Sequence, residues 1–264
     1  MLYVLKQLGK PVFTAALIVL GVFFIFEFFL LRNKKEPREI TVVIYEGQTV
    51  REIDDNLKDL GIFKNGESLL ALGRPLEGRL FPDTYRFFKD SSAVVVVEKI
   101  LENFYKKADP LLSKDSANYD RNLILASLIE REVPRFEERK IVAGILLKRL
   151  ETGMPLQIDA SLCYVKSHAY SINNLAKTEA EVDSGLKSCY PLTKQDKEVD
   201  SPYNTYKYKG LPPAPISNPG EEAIMSVLEA KSSPYWYYLS DPKTKKTIFS
   251  KTLEEHIANI RRYL

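Results

Sequence analysis

The longest apolar stretch runs from Pro11 to Leu31, PVFTAALIVLGVFFIFEFFLL, with Glu27 as its one charge. At about 1.5 Å per residue, a helix of that length spans roughly 30 Å, the thickness of a bilayer's hydrocarbon core. The run is longer than the apolar core of a signal peptide, and no A-x-A-like cleavage site follows it. It therefore predicts a retained anchor at 11–31, after a short tail at 1–10 and before a charged linker at 32–39. Lys6 and Lys10 precede the span, while Arg32, Lys34, Lys35 and Arg38 follow it. Charge alone leaves the orientation open.

Beyond the linker the period changes. ITVVIY, from Ile40, is β-branched and predicts a strand, with a turn at Gly47. Thr49 and Glu52 form a capping box for a helix to about Leu60, with Val50, Ile53, Leu57 and Leu60 on its apolar face and Gly61 as its stop. A short helix is expected at Glu67–Leu72 and loops with extended chain at 73–88. Val97, Ile100, Leu101, Phe104 and Ala108 mark an amphipathic helix ended by Pro110. RNLILASLIEREV (121–133) is apolar on every side when wound as a helix, which predicts a core helix ended by Pro134. Another helix is expected at 137–151, with Gly153 as C-cap. Residues 154–217 read as irregular, with 165–200 a polar surface excursion. Asn218 is placed to cap a helix with Pro219 in its first turn. Tyr235–Leu239 and Thr247–Phe249 predict a hairpin turned at Asp241-Pro242, and Thr252 with Glu255 a second capping box.

Composition narrows the function classes. The 264 residues carry 38 Lys and Arg against 35 Asp and Glu, a net charge of +3, too small an excess for a nucleic-acid binder. With 45% hydrophobic residues the chain can bury a real core. Two cysteines and two distant histidines argue against a metal site. No P-loop, GxGxxG, GxSxG or HExxH is present, which argues against nucleotide and metal cofactors. Cys163 and Cys189 are able to close one disulfide across the polar excursion in an oxidising compartment.

Glu130 is the foremost candidate for chemistry. A carboxylate on a nearly all-apolar helix is costly to ionise, so desolvation favours the neutral acid that glycosidic cleavage needs as proton donor. The plain alternative is a buried ion pair with Arg131, Lys148 or Arg149. Glu132 points roughly 200° away on the helix and does not share that face. Gln157 in PLQIDAS offers donors and an acceptor to sugar hydroxyls; Asp159 has three open roles, as substrate orienter, second carboxylate or turn cap. In SPYNTYKY, Ser201 opens a run in which Tyr203 and Tyr206 suit sugar faces and Asn204 and Thr205 suit hydroxyls; an ordinary strand with exposed tyrosines is the alternative. The proline-rich LPPAPISNPG that follows is a rigid connector or cleft wall.

Five segments together resemble one family. LEGRLFPDTYRF (76–87), ILASLIERE (124–132), IVAGILLKRLETGMPLQIDASLCY (141–164), SPYNTYKYKGLPPAPISNPG (201–220) and FSKTLEEH (249–256) are similar, in order, to the endolytic murein transglycosylases of the MltG type, the YceG-like family. The resemblance implies an α+β architecture: a transmembrane helix, a small LysM-like module at 40–75 and a mixed α/β catalytic domain at 76–264. It implies a single-pass inner-membrane protein whose catalytic domain lies outside the cytoplasm. It also implies cleavage of the β-1,4 bond between N-acetylmuramic acid and N-acetylglucosamine in nascent glycan strands. The product would be a 1,6-anhydro end, made without cofactor or metal, and peptidoglycan synthases would be partners. Glu130 takes the place of the family's catalytic acid, and Gln157, Asp159, Ser201, Tyr203, Asn204 and Thr205 match motifs around its saccharide cleft. Lys148, Ile158, Ala160, Ser161 and Thr247 depart from the usual family residues, which bears on details of saccharide contact.

Overall fold

The computed structural model describes residues 19–26, 28, 38–173, 189 and 191–264. Within 1–39, Val19–Phe26 and Phe28 are helical with exposed side chains. Most of the expected anchor, tail and linker lies outside the described residues, and among those described no helix is long and apolar enough to cross a membrane. Residues 40–264 form a single compact unit.

Strand β1 (Glu39–Ile44) alternates as expected: Ile40, Val42 and Ile44 turn inward, Thr41 and Val43 outward. Its partner is β2 (Asp83–Phe88), where extended chain and loops were expected. Tyr85 and Phe87 face in while Thr84, Arg86 and Phe88 face out, an alternation too short to stand out beside the turn formers before it. Helix α1 (Val50–Asp59) begins at the predicted box: Thr49 Oγ1 accepts from Glu52 N at 3.2 Å and Glu52 Oε2 accepts from Thr49 N at 2.6 Å. The expected helix at 67–72 is a single turn, Leu70–Gly73. Helix α2 (Ala93–Lys107) lays Val96, Val97, Ile100 and Phe104 inward. Val42, Ile44, Ile53, Leu57, Phe87, Val96 and Ile100 join these elements in one apolar core.

A second core surrounds α3 (Tyr119–Glu132), which packs against α4 (Phe136–Glu151), α5 (Asp159–Asn173) and α6 (Glu221–Leu228). Leu123, Leu125, Ala126, Leu128 and Ile129 are all buried, so α3 is the core helix its pattern predicted. Gly144 lets the chain after α6 cross α4 backbone to backbone: a Cβ there would stand 2.0 Å from Lys231 O, and Lys231 N donates to Lys140 O at 2.9 Å.

Three readings of the sequence are corrected. The stretch 154–217 contains helix α5, whose inward Ala160, Leu162 and Val165 are interleaved with serines and a lysine that blur the helical period. The alternative reading of SPYNTYKY as an ordinary strand falls, because the segment forms turns. Helix α6 starts after Gly220 with no side-chain cap, and Asn218 is buried elsewhere, as described below. Cys163 and Cys189 are disulfide-bonded, with Cα atoms 5.4 Å apart. The predicted hairpin is present as β3 (Tyr237–Ser240) and β4 (Thr247–Ser250), in antiparallel register from Tyr237↔Ser250 to Ser240↔Thr247. Helix α7 (Leu253–Tyr263) closes the chain; Thr252 Oγ1 accepts from Glu255 N, but Glu255 Oε2 accepts from Lys251 N, one residue before the expected donor.

Candidate active site

Glu130 lies in the last turn of α3, with its side chain 5% exposed. Arg139 Nη2 donates to its Oε1 at 2.5 Å and Gly220 N donates to its Oε2 at 3.0 Å. The guanidinium is itself fixed, because Arg139 Nε donates to Val133 O at 2.6 Å. Burial holds the Glu130 carboxyl above the usual carboxylate range; Arg139 and Gly220 pull it down, and the charge of Glu46 pushes it up. The net direction is upward, so burial outweighs the ion pair.

The ion-pair partner is not among the three cations the sequence offered. Arg131 Nη1 donates to Gly47 O at 2.8 Å. Lys148 Nζ donates to the carbonyls of Ser233 and Tyr235, and Arg149 to those of Trp236 and Leu156. These three pin loops around the helices. Arg139 escaped sequence reasoning because its contact depends on the chain reversing between α3 and α4; Pro134 marks the reversal but not its geometry.

The floor of the site is a knot of loops. Gly47, at φ +77°, donates its N–H to Asn218 O at 2.9 Å, and Asn218 N returns a bond to Gln48 O at 2.9 Å. A Cβ on Gly47 would sit 3.4 Å from Glu130 Cγ, so the turn lies flat against the acid's stem. The Asn218 amide is fully buried: Nδ2 donates to Gln48 O and Glu77 Oε1, and Oδ1 accepts from Leu80 N. With so many loop partners it holds the knot together, which is why it does not cap α6. Glu77 also accepts from Val50 N, and burial pushes its carboxyl up to about 8. Tyr164 hydrogen-bonds Glu77, and its ring packs tilted against Tyr203, with centroids 5.0 Å apart.

The remaining predicted residues gather around the start of α5. Gln157 is exposed, adopts φ +55°, and donates its backbone N–H to Thr205 O at 3.0 Å. A glutamine in the left-handed region is strained, and such strain clusters at functional sites. Thr205 is buried; its Oγ1 accepts from Ile158 N and meets Ser161 Oγ, both at 2.9 Å. Asn204 is also buried, donating to Lys197 O and Val199 O and accepting from the N–H groups of Tyr206 and Lys207. Both therefore face protein, not solvent. Ser201 Oγ accepts from Tyr203 N at 3.3 Å. Asp159 accepts a hydrogen bond from the Tyr206 hydroxyl. The Glu132 carboxyl is pushed to about 7, first by burial and also by Asp159, although Ala160 N and Tyr238 donate to it. The site residues thus fall into two groups, Glu130 against Gly47 and Gly220, and Gln157 with Asp159 against the SPYNTY turns.

Among the described residues no group of three His, Cys, Asp or Glu is placed to hold a metal ion. A surface cleft of about 400 Å³ at Lys114, Asp115, Arg121, Met225 and Glu229 shares no residue with either group.

Comparison with known proteins follows the same segments. The family model described as YceG-like matches residues 28–262. An endolytic murein transglycosylase of Streptococcus pneumoniae D39 is 31% identical over 192 residues, 72% of this chain and 32% of that one. Its namesake in Bacillus subtilis 168 is 31% identical over 194 residues, 72% of this chain and 48% of that one. The chain therefore spans about a third to about a half of the length of these curated relatives. A yceG-like protein of Listeria monocytogenes, known from a crystal structure, matches with a TM-score of 0.64 at 30% identity, over 86% of this chain and 78% of that one. On the extent of the family match, the chain belongs to the YceG-like family.

Proposed function

We propose that this chain is an endolytic peptidoglycan lytic transglycosylase. It is anchored by residues 11–31 in the inner membrane, with a LysM-like module at 40–75 and a catalytic domain at 76–264 outside the cytoplasm. It cuts the β-1,4 bond between N-acetylmuramic acid and N-acetylglucosamine in new glycan strands and so limits their length beside the synthases that make them. The single observation that carries the reading is the state of Glu130: a carboxyl buried at the end of a core helix, its proton affinity raised despite a guanidinium contact. The names of its relatives, endolytic murein transglycosylases, agree with it.

Protonated Glu130 gives its proton to the departing glycosidic oxygen, and positive charge develops at the muramic C1. Arg139 and Gly220 N–H then meet the carboxylate that is left, which makes the proton easier to release. The muramic 6-hydroxyl closes on C1 and its proton passes to Glu130, so one residue serves as acid and then as base. The ring closure is intramolecular, a large advantage over attack by water. Asn204 and Thr205 act from beneath, holding the loops that present Gln157 and Tyr206 to the saccharide.

Mass spectrometry of products from purified glycan strands tests this. Anhydro ends from the wild-type chain and none from a folded Glu130→Gln variant are expected. Ends carrying an added water would instead mark a hydrolase. The Arg139 ion pair favours a second reading, a peptidoglycan-binding scaffold in which Glu130 is structural. Strand binding without shortening would decide for it.

A further inference from the structure

The turn that packs under Glu130 carries another acid. Glu46 is exposed and has no hydrogen-bonding or ion-pair partner among the described residues. Gly220 reports its position. A Cβ added there would stand 2.6 Å from Glu46 Cγ, 3.5 Å from Glu46 Oε1 and 3.6 Å from Glu130 Oε2. The two carboxylate oxygens lie 3.5 and 3.6 Å from one point and are therefore no more than about 7.1 Å apart. Carboxyl pairs that flank a scissile glycosidic bond stand roughly 5 to 9.5 Å apart. The backbone of Gly220 (φ −80°, ψ 176°) is one any residue adopts, so the missing side chain serves the space between the two acids and not a backbone need.

The turn is also rigid. Tyr45 N donates to Gln48 Oε1, Gly47 N to Asn218 O, and Arg131 Nη1 to Gly47 O. Glu46 is thus an unpartnered anion on a braced backbone, close to a buried acid and beside a glycine whose Cβ would crowd it.

Resting on the transglycosylase reading above, we propose that Glu46 is the second carboxylate of the cleavage site, the anion that faces the positive charge developing on the cleaved sugar ring. The bond between C1 and the departing oxygen breaks, and that oxygen takes the proton of Glu130. The bond between C1 and the 6-oxygen forms, and the 6-hydroxyl proton returns to Glu130. Glu46 neither gains nor loses a proton; it stabilises the transition state electrostatically. Glu46 comes from the β1–α1 turn and Glu130 from α3, so the site is built from segments 84 residues apart, the same pairing that Arg131 makes with Gly47.

The test compares the full chain with Glu46→Gln, Glu46→Asp and Glu46→Ala on purified glycan strands, reading strand shortening and product mass. Glu46→Gln should lower kcat about 100-fold, or about 2.7 kcal/mol at 1.36 kcal/mol per decade, with KM within threefold. Glu46→Asp should keep part of the rate, and melting temperatures should stay at the wild-type value because the residue is exposed. An active wild type with kcat within threefold in Glu46→Gln and Glu46→Ala overturns the role of Glu46 alone. A wild type that leaves strands intact overturns the transglycosylase reading and this proposal with it.

Discussion

Replacing Arg139 with glutamine deletes the guanidinium that lies 2.5 Å from Glu130 Oε1 and leaves Gly220 N–H as the carboxylate's remaining donor. The Arg139 guanidinium holds the Glu130 carboxyl down, so its loss raises the proton affinity of Glu130 further. An acid catalyst works while protonated. The alkaline limb of the pH–rate profile for strand cleavage is therefore expected to move up in Arg139→Gln. Stability follows the same group. Glu130 already titrates above its ordinary 4.5, so its contribution is full below that value and is lost as pH rises through the folded one. Raising the folded value further makes the variant's deficit grow with pH. Once Glu130 ionises, an unpaired buried charge costs about 3–5 kcal/mol. Losing the bond to Val133 O adds about 1 kcal/mol at every pH. Urea unfolding at pH 5 and pH 8 reads the difference. An alkaline limb that stays in place or moves down, or a deficit equal at both pH values, would refute the balance of burial against guanidinium described here.

Glu77, pushed to about 8 from 4.5, makes the fold lose stability as pH rises through about 8, by up to roughly 5 kcal/mol. Glu77→Gln should flatten that slope in thermal melts between pH 5 and 9, after an initial loss of about 1–3 kcal/mol from mismatched donors; an unchanged slope counts against the assignment. Gln157→Gly removes a left-handed strain of about 1–3 kcal/mol, so its melting temperature should equal or exceed that of the wild type while strand cleavage falls. A lower melting temperature would show that the Gln157 side chain supports the fold. Replacing Cys163 and Cys189 together by serine opens a link across 26 residues and should lower stability by about 3–4 kcal/mol in denaturant unfolding.

Local features of this fold are written in the chain and distant ones are not. The Thr49 box, the inward faces of β1 and α2, and the β3–β4 hairpin depend on neighbours within a few residues, and each forms where the pattern places it. Glu130 stands out because it follows LILASLI, whose apolar side chains cover every side of the helix. Its setting does not. Arg139 reaches it across a helix reversal, Gly220 N from 90 positions away, and Glu46 from the first turn after β1. Asn218 illustrates the limit. Followed by Pro and Gly and two glutamates, it has the local form of a helix cap, yet Gln48, Glu77 and Leu80 claim its amide from afar. Asn204 and Thr205 have the composition of sugar-binding groups, but the chain uses them to brace its own turns. Residue type announces hydrogen-bonding capacity; the partner is decided by the tertiary fold.

The knot at Asn218 has a consequence for synthesis. Its amide joins segments 170 and 141 residues apart, and Gly220 brings the acid its second donor from 90 residues downstream. Long-range closures of this kind come late, because chain entropy opposes them until nearby elements have formed. A growing polypeptide that has delivered Glu130 but not yet Gly220 holds the acid without its setting. The surroundings of Glu130 are thus completed only when the segment carrying Asn218 and Gly220 has docked.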